Sequence, residues 1–245
     1  MKIINSNDHG KFIKYAEEID ICRVFPLSIV QRFQSGSIYT SENCVLFRHR
    51  NNFTFLSGTP DENELSEIHE LILSENLKFI CSDPSLSESI SQLGAVELIP
   101  RDFYSYPAET APELQIPDGF IIRSIDRELF DSITGRVPPS LYWDSCEQFS
   151  KNGTGFCIMQ GNEAASWAFT SAVSSEEADI GIETAEKYRH RGLALAAAAA
   201  VIREVLPDRR PTWTCQRSNR GSARIAEKLG FVRSSECVLI RKPLP

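Results

Sequence analysis

The residues with most chemical potential lie in the last quarter of the chain, where residues 183–194 read Glu-Thr-Ala-Glu-Lys-Tyr-Arg-His-Arg-Gly-Leu-Ala and lead into an alanine-rich run. Arg189, His190 and Arg191 bring positive charge, and Gly192 lets a ligand approach the backbone. A helix must begin near Arg191, since residues 194–200 are small, favour helix and can pack closely on a sheet. The first amides of a helix have no intrahelical partner, and the dipole adds partial positive charge at that end. This spacing is that of an anion site, and the anion it suits is a pyrophosphate.

The elements that position this turn are legible on both sides of it. Residues 178–184 place Ile180 and Ile182 at alternate positions, as a half-buried strand requires. Asp179 and Glu183, four residues apart on that strand, share a face. A further strand around residues 212–215 precedes Asn219, which is suited to cap a helix that closes at Leu229-Gly230-Phe231. Upstream, residues 120–125 alternate like a strand, Asp126 caps a helix to about residue 133, and a second helix is expected over 141–150. Residues 153–159 and 164–173 then read as two strands joined by the turn Gln160-Gly161-Asn162-Glu163.

Arg189-x-x-Gly192-x-Ala194, followed by Asn219 and Leu229-Gly230-Phe231, resembles the coenzyme A signature and the next helix of the GNAT acyltransferase superfamily. The likeness covers roughly residues 121–242, and Pro211 to Cys215 resembles a bacterial subgroup of N-acetyltransferases with an additional N-terminal GNAT-like half. It implies an α/β (α+β) chain with the GNAT fold in its C-terminal half, acetyl-CoA as cofactor, and coenzyme A contacts from Ile182, Thr184, Arg189, His190, Arg191, Gly192, Leu193, Ala194, Asn219 and Ser222. The backbone amide on the strand at residues 182–184 would hold the thioester carbonyl. Glu183 is then the expected general base, directly or through water, with Asp179 in reserve. Many relatives carry an acidic tyrosine where this chain has Ala226, so Cys215 or Ser222, or else solvent, is left to protonate the thiolate. Trp143 and Trp167 are candidate walls of the acceptor pocket.

The N-terminal half echoes the second. Phe79-Ile80-Cys81, a polar helix and Leu93-Gly94 parallel Trp213-Thr214-Cys215, the Asn219 helix and Leu229-Gly230. The stretch corresponding to the basic turn, residues 55–64, opens its helix with Asp61, Glu62 and Glu64 and holds no arginine, so it would repel a pyrophosphate. A degenerate GNAT-like domain over 1–115 and a catalytic domain over 116–245 are expected, split in a proline-containing linker.

Composition sets the outer limits. The 245 residues carry a formal net charge of −7 with acids and bases mixed, which argues against nucleic acid as partner. No apolar run reaches the roughly 20 residues that span a bilayer, and a cytoplasmic monomer or homodimer is expected. Seven scattered cysteines give no metal-ligand spacing. The leading expectation is N-acetylation of a small-molecule amine, such as an antibiotic or an amino acid derivative. Acetylation of a protein N-terminus or lysine is the second, and a coenzyme A-binding regulatory module without turnover, which Ala226 favours, is the third.

Overall fold

The computed structural model describes residues 1–113 and 115–244; the expected linker includes residue 114, which lies outside them. Contacts group the chain differently from a cut at residue 115. One compact unit comprises Met1–Phe103, Cys215–Ser218 and the segment from Ser234 onward, and the other comprises Tyr104–Thr214 and Asn219–Arg233.

The first unit begins with β1 (Lys2–Ile3), a 3-10 segment (Ser6–Phe12), α1 (Ile13–Glu17) and α2 (Val24–Val30). Then come β2 (Gly36–Thr40), β3 (Cys44–His49) and β4 (Phe53–Gly58), an antiparallel meander, followed by α3 (Glu62–Ser74), β5 (Lys78–Cys81), α4 (Pro84–Gln92) and β6 (Glu97–Ser105). The helix α3 returns the chain so that β5 runs parallel to β4, but pairing is confined to Phe53↔Lys78 and Thr54↔Phe79 although β4 continues to Gly58.

In the second unit β7 (Ile121–Ser124) leads through α5 (Arg127–Ser132), a 3-10 turn (Pro139–Leu141) and α6 (Cys146–Asn152) to β8 (Gly155–Gln160), β9 (Glu163–Val173) and β10 (Glu177–Thr184). These strands are antiparallel neighbours; a 3-10 turn (Glu186–Tyr188) and α7 (Leu193–Val205) then bring β11 (Arg210–Gln216) parallel to β10, before α8 (Arg220–Leu229) and β12 (Val232–Arg241). The strand order is β11-β10-β9-β8-β7 in this unit.

Most local signals act as expected. Asp126 caps α5 by accepting from the Leu129 amide at 3.0 Å, and Gly161 at φ 59 supplies the left-handed first position of a two-residue β8–β9 hairpin. The helix expected over 141–150 starts later, at Cys146. Ser145 is its true cap, accepting from the Gln148 amide at 3.2 Å, while Gln148 reaches back to the Asp144 amide at 3.0 Å. The prolines upstream confine the preceding residues to a single 3-10 turn.

The last strand belongs to the first unit. Val238, Leu239 and Ile240 pair antiparallel with Cys81, Ile80 and Phe79, giving the order β1-β2-β3-β4-β5-β12-β6. Ile240 is fully buried in the cluster of Leu46, Ile68, Ile72, Phe79 and Ile90. Without β12 the inner edge of β5 would present open backbone groups and this core would lose a wall.

The start of α3 is closed by its own carboxylates. Asp61 accepts from the Glu64 amide at 2.9 Å while Glu64 accepts from the Asp61 amide at 2.9 Å, a reciprocal capping box; Glu64 also takes the Asn43 amide at 3.0 Å and its side-chain nitrogen at 3.1 Å. Burial pushes the Glu64 carboxyl up, but the donors from Asn43, Ser41 and Asp61 outweigh it and hold it at about 2, against an ordinary 4.5. A folded-state value below the unfolded one contributes stability that is present above pH 4.5 and lost as pH falls toward 2. Glu64→Gln should therefore flatten the acid limb of stability against pH across that window, measured by denaturant unfolding, with little change in slope near neutrality.

Candidate active site

The basic turn is built where β10 hands the chain to α7. After the 3-10 turn, Arg189 is extended, His190 takes φ 64 and Gly192 caps α7 at φ 79, so two left-handed residues flank Arg191. For histidine that conformation costs about 1 kcal/mol, which the surrounding structure must over-determine. Tyr188 anchors the turn from below: its hydroxyl donates to Glu163 at 2.9 Å, its ring meets Phe120 edge-on, and the Arg191 guanidinium lies 5.7 Å from its centroid. Leu195 and Ala196 are the first residues to donate to the Gly192 carbonyl, so the amides of Leu193 and Ala194 point outward from the helix start. Behind them, residues 196–202 are buried and α7 packs on β8, β9 and β10.

This turn fits an anion. A Cβ built on Gly192 meets nothing within 4 Å, so the space beside this residue is open. The first turn of α7 holds no acidic residue, and Arg189 is half-exposed, with Glu186 3.9 Å away as a weak partner. A coenzyme A pyrophosphate would be held by the amides following Gly192 and by Arg189 and Arg191. Asn219 caps α8, accepting the Ser222 amide at 3.1 Å, and the Ser222 hydroxyl accepts from the Trp213 indole at 3.1 Å.

β10 and β11 part company at one place. Their ladder comprises Glu177↔Arg210, Ala178↔Pro211 and Asp179↔Thr212, and no further pair joins them among the described residues, although β10 runs on to Thr184. At the same point the β9 register skips, with Asp179 opposite Ala172 and Ile180 opposite Thr170, so Ser171 is the extra residue of a bulge. The Ser171 hydroxyl donates to Asp179 Oδ2 at 2.5 Å, and Thr212 Oγ1 lies 3.4 Å from Oδ1. Asp179 is 4% exposed: it is built into the fork rather than presented on the strand surface. Beyond the fork, β10 offers the backbone of residues 180–184 along one edge.

Glu183 stands near the open end of that strand. Its Oε2 accepts the Val137 amide at 2.8 Å, and Gly135 lies so close that a Cβ there would come within 2.5 Å of the carboxylate. Trp167, directly opposite Glu183 on β9, donates its indole N–H to the Val137 carbonyl at 2.9 Å. One residue on, Ser166 donates to the Glu183 carbonyl at 2.9 Å and lies 2.8 Å from the Thr184 hydroxyl. Trp143 is placed elsewhere: fully buried, it donates to the Thr170 carbonyl at 2.8 Å within the packing of Phe149. Cys215 is 5% exposed and groups with the first unit.

The structure thus gathers Ile182, Glu183, Thr184, the basic turn, Asn219 and Ser222 in the second unit. The segment 135–137 was missed by sequence reasoning; a glycine two residues before a valine ahead of paired prolines was its only trace. The Ser171 bulge left no sequence signal beyond an aspartate in a strand, where that residue is depleted. All seven cysteines are buried and none is in a disulfide, with burial pushing the thiols of Cys157 up to about 12 and of Cys81 and Cys237 up to about 11. Among the described residues no cluster could hold a metal ion, and no helix is long and apolar enough to cross a membrane.

Similarity to known proteins converges with this geometry. Residues 24–239 match the family described as GNAT acetyltransferase. An uncharacterized N-acetyltransferase of Bacillus subtilis (strain 168), YdfB, is 25% identical over 237 residues, covering 88% of both chains. Among solved structures, a GCN5-related N-acetyltransferase-like protein from Streptococcus suis 89/1591 superposes with a TM-score of 0.75 at 21% identity, covering 98% of this chain and 100% of the other. A tandem GNAT protein from the clavulanic acid biosynthesis pathway gives 0.59 at 11% identity, covering 98% and 96%. Matched along most of its length by the family pattern, and carrying a forked parallel pair that feeds a basic, acid-free helix start, the chain belongs to the GNAT acetyltransferase family.

Proposed function

We propose that this protein is an acetyl-CoA-dependent N-acetyltransferase acting on the amine of a small molecule, and that its N-terminal half is a degenerate GNAT-like copy without a cofactor site. The observation that carries the reading is the entry to α7, where a left-handed glycine with open space beside it begins a helix whose first turn holds no acidic residue, next to a forked strand. The copy is supported by the repeated order of three antiparallel strands, a helix, a parallel strand whose ladder stops early, and a second helix. At the corresponding helix start, Asp61 accepts the Glu64 amide and Glu64 sets a second carboxylate beside it.

When bound, coenzyme A supplies the acetyl group as a thioester. The amide of Ile182, on the forked edge of β10, would polarise the thioester carbonyl, with Thr184, Arg189, His190, Arg191, Leu193, Ala194, Asn219 and Ser222 holding the rest of the molecule. Glu183 would take the proton released by the acceptor amine, directly or through a water, as the C–N bond forms and the C–S bond breaks. The departing thiolate would take a proton from solvent. Asp179 would serve by holding the fork.

Titration of the protein with acetyl-CoA should show a single site per chain. Arg189→Glu combined with Gly192→Asp should weaken that binding by about 100-fold or more, because both changes set negative charge against the phosphates; retained affinity would dismiss the turn as the site. In a screen of small amines, Glu183→Gln should lower kcat by about 10²-fold or more with acetyl-CoA affinity intact, and unchanged turnover would remove Glu183 as the base.

A further inference from the structure

The most unusual contact in the second unit is the double capture of one residue. Val137 gives its amide to Glu183 and its carbonyl to Trp167, at 2.8 and 2.9 Å, and those two side chains are direct cross-strand partners on β10 and β9. Both backbone polar groups of one loop residue are therefore held from one face of the sheet, along the part of β10 that no longer pairs with β11. Gly135 lets the carboxylate sit this close: it adopts φ 153, and any Cβ would fall 2.9 Å or less from the whole carboxyl group. The segment runs between α5 and the 3-10 turn at Pro139 and carries Arg136, an exposed cation, at its centre.

We propose that Glu183 and Trp167 form a clamp that fixes residues 135–137 beside the open end of β10, making Trp167 a positioning residue and giving Glu183 a positioning role in addition to its proton chemistry. The functional consequence, that the clamped segment forms a fixed wall of the acceptor site, rests on the acetyltransferase reading above; the clamp itself does not. The two roles of Glu183 separate by chemistry. A glutamine at 183 can accept the Val137 amide through its carbonyl oxygen but cannot take a proton at neutral pH, whereas alanine can do neither. Trp167→Phe keeps an aromatic ring at this buried position and removes the donor to the Val137 carbonyl, at the cost of some ring packing. Gly135→Ala drives a methyl group into the carboxylate and forces the segment off its anchor.

Hydrogen exchange of the Val137 amide, followed by NMR in the full-length protein alongside an acetyl-CoA titration, tests this. Exchange should quicken about tenfold or more in Glu183→Ala and in Gly135→Ala, and stay within about twofold of the parent in Glu183→Gln, the scale set by losing one hydrogen bond. Trp167→Phe should quicken it while leaving the exchange of α7 amides unchanged, which separates loss of the clamp from general unfolding. Slow exchange in Glu183→Ala, or exchange as fast in Glu183→Gln as in Glu183→Ala, would overturn the clamp. Failure to bind acetyl-CoA with the exchange pattern intact would overturn the acetyltransferase reading and leave the clamp standing.

Discussion

The arrangement of the second unit depends on one interruption: two parallel strands that pair for three residues and then stop. A parallel ladder is normally buried on both faces and continuous, so ending it midway leaves backbone groups that something must occupy. Here the ending is enforced chemically. A carboxylate in the fork ties the bulged Ser171 of one neighbour to Asp179, with Thr212 of the other within reach. Burying that aspartate is expensive unless its oxygens are satisfied, and satisfying them fixes where the strands separate. Downstream of that point lie the edge of β10 that β11 no longer pairs, the basic turn and the helix behind it.

The two units use the same backbone order toward opposite electrostatic ends. Each has an antiparallel meander, a helix, and a parallel strand that pairs only briefly. At the head of α7 the amides meet open space and arginines. At the head of α3 they meet Asp61 and Glu64, with Asn43 closing around the second carboxylate. A helix start is worth a few tenths to about 1 kcal/mol to whichever negative group lies against it. In the first unit that gain goes to the fold's own stability, and at the head of α7 no side-chain cap takes it up.

Much of this was legible in the sequence because the informative residues act locally. Gly192, Asn219, Asp126 and Leu229-Gly230-Phe231 each specify a cap or a turn within a few positions, and each stands where its local chemistry puts it. Glu183 was visible as a strand carboxylate near the turn, but its capture by Val137 was not, since that contact joins residues 46 positions apart. Asp179 looked like a candidate base because alternation gives its face and not its depth. Trp143 shows the same limit: its aromatic character was plain, while its place inside the core depends on α6 folding back over β9. The helix before β8 was misplaced because paired prolines signal an end without saying which serine begins the next element.

The position of β12 has a consequence for how the chain comes into being. The first unit is closed by Ile240 and its neighbours, which leave the ribosome after the whole second unit has been made. At about 5–20 residues per second, the meander of β2 to β4 and the helix α3 wait on the order of ten seconds or more for their missing strand. During that interval the β5 edge, with Phe79 beside it, is an unpaired template for another chain. The N-terminal portion, although synthesised first, can therefore reach its native form only last, so the nascent chain has a period of vulnerability that the finished protein does not reveal.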